Sequence, residues 1–155
     1  MPSNRRQNGL DGVDRALLTE LQDDARLSLA ELGRRVGLSP PALAERLQRL
    51  QDAGVITGHR TQVDPRAVGY SLSAYLRIRP APRQIPKVAE LAQRTPEVTE
   101  CHRVTGDDCY VMKLHVRDVG HLEEVIDRFT LYGQTTTSII QSSPVPGRGI
   151  DVSAT

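Results

Sequence analysis

The sequence predicts an α+β chain in two parts: an N-terminal (winged) helix-turn-helix domain, then a C-terminal ferredoxin-like βαββαβ sandwich. Three observations predict it. Apolar residues recur at helical spacing from Leu10 to Leu50. Within that stretch, the short turn Gly37–Ser39 separates two amphipathic segments. Beyond Tyr70 the apolar period shortens to two, interrupted twice by helical spacing.

Each element follows from its residues. Residues 1–9 form a polar tail. Leu10, Val13, Leu17 and Leu21 mark a first helix, with Asp11 available as its N-cap. Ser28 and Glu31 have the spacing of a capping box at the start of a second helix. Gly37 suits the left-handed residue that ends that helix, and Ser39-Pro40 starts a third. Leu43, Leu47 and Leu50 line one side of the third helix, which stops at Asp52-Ala53-Gly54. A helix pair alone buries too little surface to fold, so the first helix is expected to brace the other two. The domain is expected over residues 10–58, with residues 59–70 as a linker strand or small wing.

In the second part, residues 71–79 alternate as a strand with one buried face. Ile85, Val88, Ala89 and Ala92 mark a helix that stops before Pro96. Residues 98–105 and 109–116 are strands around the Gly106-Asp107-Asp108 turn. Leu122, Val125, Ile126 and Phe129 mark a second helix, and residues 135–143 a last strand. That order spans residues 71–145, with residues 146–155 as a loose tail. Tyr75 and Arg77 fall on the sheet face that the two helices leave open, the kind of face a second subunit covers.

Short helices joined by so tight a turn are the arrangement of a DNA reader. The net charge is only +1, so no general affinity for polyanions follows. Between Arg26 and Arg60, however, six Arg stand against Glu31, Glu45 and Asp52. On the third helix, Ser39, Pro41, Ala44, Glu45 and Gln48 form the face expected in the major groove of double-stranded DNA. There Gln48 would pair with adenine, and Glu45 would accept from cytosine. Arg34, Arg35, Arg46 and Arg49 are expected at phosphates, which position without specifying. For Glu45 and Arg46, a surface pair and a structural role stand as equal alternatives.

The chain resembles the Lrp/AsnC (feast/famine) transcriptional regulators over roughly residues 10–145. The resemblance is carried by LDGVDRALLTELQDDARLSLAELGRRVGLS (residues 10–39), ERLQRLQDAGVITGHR (45–60), VDPRAVGY (63–70) and PEVTECHRVTGDDCYVMKLHV (96–116). It implies dimers formed through the C-terminal sheets and assembling to tetramers or octamers. It also implies an amino acid or related small metabolite held between dimers. The family's sensing loop reads Gly-x-x-Asp followed by an aromatic. Gly106 and Tyr110 hold their places, whereas Cys109 occupies the Asp position, after Asp107 and Asp108. Hydroxyls of Thr135, Thr136, Thr137 and Ser138 would hold a ligand carboxylate.

Other chemistry finds little support in the residues. Cys101, His102, Cys109 and His115 lack zinc-site spacing, so no metal and no cofactor are expected. No P-loop, dinucleotide fingerprint or Ser-His-Asp arrangement is present, and no enzyme is expected. Two cysteines without dense spacing, and no long apolar run, point to a cytoplasmic chain without a membrane span. The alternative function is an architectural protein that wraps DNA with little ligand control.

Overall fold

A computed structural model describes residues 9–153, so the expected N-terminal tail lies, except for Gly9, outside the described residues. The chain divides into two compact units. Residues 145–153 join the first, which otherwise ends at Thr61, and Gln62–Pro144 form the second.

The first unit holds α1 (Gly12–Asp23), α2 (Leu29–Val36) and α3 (Pro40–Asp52). Its core is small and aliphatic: Leu17, Leu18, Leu32, Leu43 and Leu50 are buried together. Leu47 packs against them but is only partly buried. The capping box sits at α1, where the Asp14 N–H donates to Asp11 and the Asp11 N–H donates back to Asp14. At α2 only half of the expected box forms. Ser28 accepts from the Glu31 N–H at 3.1 Å, while the Glu31 carboxylate turns outward to Arg34 and Arg35. A carboxylate offered two guanidiniums gains more from them than from one backbone N–H.

The turn between α2 and α3 needs two glycines. Gly37 ends α2 with φ +72°, a left-handed backbone that favours glycine. Gly33 is required for space, since a Cβ there would lie 2.5 Å from the Leu38 carbonyl oxygen. That close approach lets the Leu38 N–H bond to the Gly33 carbonyl at 2.8 Å and folds the chain back tightly.

Two expectations for the segments beside this unit are corrected. Residues 59–70 hold no strand, only a single 3-10 turn at Arg66–Val68, because Asp64-Pro65 and Gly69 favour turns over an extended ladder. Residues 146–155 are not a loose tail as far as they are described. Gln22 and Arg15 of α1 bond to the backbone of Ile150 and Val152, and Val152 joins the leucine core.

The second unit contains β1 (Leu72–Pro80), α4 (Ile85–Arg94), β2 (Val98–Arg103), β3 (Tyr110–Val116), α5 (Val119–Thr130) and β4 (Gly133–Ile139). The sheet is antiparallel throughout, in the order β2-β3-β1-β4. On one face Ala74, Leu76 and Ile78 of β1 and Met112, Leu114 and Val116 of β3 are buried under the helices. There they meet Val88 and Ala92 of α4 and Leu122, Val125 and Phe129 of α5. The start of α5 is fastened to the turn before β2. His121 accepts from the Arg117 N–H through Nδ1, so its Nε2–H donates to Glu97, 2.8 Å away. Burial pushes the Glu97 carboxyl up, but His121, its own backbone N–H and Arg128 outweigh that and hold it below the usual range.

Candidate nucleic-acid interface and effector region

In the first unit, α3 presents the face expected to read DNA. Ser39, Pro41, Ala44, Glu45 and Gln48 are all exposed. The Ser39 hydroxyl makes no cap bond, and Gln48 donates to Asp52 at 2.8 Å. Ala44 and Pro41 leave this face low enough for close approach to a groove. Glu45 does not pair with Arg49, which turns to Asp14 instead.

The arginines separate into two groups. Arg34 is widely exposed, its guanidinium held by Glu31 at 2.7 Å. Arg35 bridges Glu31 at 2.8 Å and Glu20 at 2.7 Å, and these two carboxylates raise its pKa further. Glu31 in turn is held below the usual carboxylate range by the hydrogen bonds from Arg34 and Arg35. Arg46, for which a phosphate contact and a structural role stand as equal alternatives in the sequence, has its side chain four-fifths covered and bonded to Asp11 at 2.6 Å and Asp14 at 2.7 Å, the arrangement of the structural role. Arg49 reaches the same Asp14 from a more exposed position, at 3.2 Å.

Asp14 is the residue that sequence reasoning missed. It is 4% exposed, yet it caps α1 and receives two arginines of α3. A buried carboxylate persists only when paired and hydrogen-bonded in this way. The Asp-x-x-Asp spacing of Asp11 and Asp14 was its available signal.

In the second unit, Gly106 (φ +108°), Asp107 and Asp108 form the β2–β3 turn. The turn is pinned to β1. Arg79 donates to the Asp107 carbonyl at 2.9 Å, Arg77 lies 4.0 Å from the Asp108 carboxylate, and the Cys109 N–H bonds to the Ile78 carbonyl. Cys109 packs against the core. Tyr110, expected to touch ligand, is buried beneath α4, and its hydroxyl donates to the Ile85 carbonyl.

The four hydroxyls of β4 do not converge, because side chains alternate across a strand. Thr135 and Thr137 stand beside Ile78 and Leu76, on the helix side. Thr136 and Ser138 stand beside Arg77 and Tyr75, on the open face. The open face therefore gathers Arg77 with Asp108 nearby, Tyr75, Thr136 and Ser138. Across β3 it continues through Lys113 to His115, whose Nδ1 is 2.8 Å from the Ser73 hydroxyl. Burial, then Lys113, lowers the His115 pKa, with Glu100 opposing.

Among the described residues, no three His, Cys, Asp or Glu side chains gather as a metal site. Cys101 and His102 stand opposite Met112 and Val111, so they point to opposite sides of the sheet. Among the same residues, no helix is long and apolar enough to cross a membrane.

Comparison with known proteins matches these two units to two family models. Residues 10–51 match the AsnC-type helix-turn-helix domain, and residues 73–150 the Lrp/AsnC ligand binding domain. The chain is 32% identical to the HTH-type transcriptional regulator LrpC of Bacillus subtilis over 133 residues, covering 86% of this chain and 92% of that one. It is 35% identical to the regulator LrpA of Mycobacterium tuberculosis over 137 residues, covering 88% and 89%. The solved structure of B. subtilis LrpC superposes with a TM-score of 0.85 at 30% identity, over 90% of this chain and 99% of that one. A feast or famine regulatory protein from M. tuberculosis, solved with L-methionine, gives 0.83 at 34% identity, over 92% and 99%. With a helix-turn-helix reader in one unit and the ligand-binding fold in the other, the chain belongs to the Lrp/AsnC family of DNA-binding transcriptional regulators.

Proposed function

We propose that this regulator binds operator DNA through Ser39, Pro41, Ala44, Glu45 and Gln48 in the groove, with Arg34, Arg35 and Arg49 at phosphates. Its assembly and affinity respond to an amino acid. The observation that carries the DNA half is the exposed, small-residue face of α3 on a unit braced by Asp14. Arg46 is left out of the phosphate set because its side chain is four-fifths covered and bonded to the buried Asp14, whereas Arg35, also paired with two carboxylates, keeps its side chain 43% exposed.

Salt titration tests this division. Arg34→Gln is expected to flatten the slope of log affinity against log salt by about 0.9, the loss of one phosphate contact. Arg46→Gln is expected to lower the melting temperature and leave that slope unchanged. The reverse pattern would return Arg46 to the phosphates.

For the effector half, the supporting feature is the charged turn Gly106-Asp107-Asp108 beside Arg77, Thr136 and Ser138. Carboxylates, a guanidinium and hydroxyls suit the two charges of an amino acid. Solved relatives with bound L-methionine support the same ligand class. The open face, with Tyr75 42% exposed, is the surface proposed to close against a second copy, and the dimers are proposed to assemble further. No catalytic role is proposed for any residue.

The test is a thermal-shift screen against the twenty amino acids, followed by DNA binding with and without each hit. Ligand at about 100 times its dissociation constant is expected to stabilise the fold by about 2.7 kcal/mol. If no amino acid shifts the melting temperature or alters DNA affinity, the sensing half of the proposal falls.

A further inference from the structure

We infer that residues 145–153 are a strap through which the second unit acts on the DNA-binding unit, an inference that rests on the effector reading above. The chain leaves the first unit after Thr61, builds the whole second unit, and returns to the first at Val145. The second unit is thus an insertion, joined to the first by two lengths of chain. The return length starts at Val145, six residues after β4 ends at Ile139, the strand that carries Thr136 and Ser138.

The strap's grip on α1 is specific. The Gln22 side-chain amide pairs with one residue's backbone in both directions. Nε2 donates to the Ile150 carbonyl at 3.0 Å, and the Ile150 N–H donates to Oε1 at 2.7 Å. About two turns further back along α1, Arg15 donates to the Val152 carbonyl. Val152 packs against the leucine core, whereas Ile150 points away and is 80% exposed. The fit depends on glycine: a Cβ at Gly149 would lie 2.5 Å from Gln22 Oε1 and 3.0 Å from its Cβ. Gly147 makes the approach with φ +131°, a backbone that favours glycine.

The strap holds the same helix that holds the reader. Asp14, one residue before Arg15, takes Arg46 and Arg49 of α3. A displacement of β4 therefore has a short covalent route through the strap to α1, and from α1 through Asp14 to α3. A coupling of this kind needs an element that both sites bias. The strap and α1 together are that element.

The test uses the full chain, Gln22→Ala, Gly149→Val and a chain ending at Pro144, with L-methionine as probe and a duplex selected from random-sequence DNA. Three quantities are read: amide exchange of α1, the melting shift with L-methionine, and the ratio of DNA affinities with and without it. Releasing the strap is expected to speed α1 exchange about tenfold, since amides that lose tertiary support open locally. The melting shift should persist. The affinity ratio, in the usual coupling range of about 5–150-fold for the full chain, should collapse toward one in all three variants.

An unchanged ratio in Gln22→Ala and Gly149→Val, or unchanged α1 exchange, overturns the strap. A full chain that shifts with L-methionine but shows no affinity ratio also overturns it, while ligand binding stands. Absence of a melting shift in the full chain with L-methionine and with every other one of the twenty amino acids is the distinct signature of a failed effector reading, and the coupling role falls with it.

Discussion

Leu43→Ala is expected to destabilise the DNA-binding unit by about 2–5 kcal/mol and to abolish DNA binding near physiological temperature. Leu43 has no exposed surface and sits among Leu17, Leu32 and Leu50, in a core with five fully committed leucines. Removing one leaves a cavity that so few neighbours cannot close. The same substitution at Leu47 is expected to cost less, because Leu47 already faces partly to solvent. Thermal and urea denaturation of the two variants would measure the difference. Equal costs would mean that the unit relaxes around the loss and that its leucines are interchangeable.

Phe129→Ala is expected to cost the second unit about 3–5 kcal/mol. This is the one Phe in a chain that has no Trp. It lies on α5 with no exposed surface, in the core cluster that includes Leu76 and Met112 of the sheet. Of the two tyrosine rings in or against that core, Tyr110 is held to the Ile85 carbonyl and Tyr132 is only partly buried. The variant should therefore lose any amino-acid response before it loses DNA contact. Unfolding followed by near-ultraviolet signals of the tyrosines, with DNA binding measured in parallel, checks both parts. A variant within 1 kcal/mol of the parent would contradict the packing described.

The elements were legible in the sequence because each one is set locally. Helical spacing, Asp11 and Gly37 located the three helices, and strict alternation in Leu72, Ala74, Leu76 and Ile78 located the central strand. What stayed hidden depended on contacts between distant residues. Whether Arg46 is a phosphate contact or a structural residue stays open in the sequence until Asp14, 32 positions earlier, is placed beside it. Residues 146–153 read as a tail because Pro, Gly and Ser make up half of them, while Gln22, which holds Ile150, lies 128 positions away. Tyr110 fitted a ligand role by its place in a loop pattern, but the strand's alternation turns it into the core. The exposed face of α3 was easier. A helix surface exposed on its own unit needs no distant partner to be recognised.

Gly133 carries a consequence for how the chemistry of the open sheet face changes over time. A Cβ at this position would lie 2.2 Å from the Arg79 carbonyl oxygen, so β4 enters the sheet at a point that admits no side chain. A slip of the strand by one residue would bring Tyr132 or Gln134 to that point, and neither fits. Such a slip would also exchange Thr136 and Ser138 for Thr135 and Thr137 on the open face. The glycine therefore acts as a detent. It confines this strand to changing its chemistry one side chain at a time, at every second position, and never by sliding.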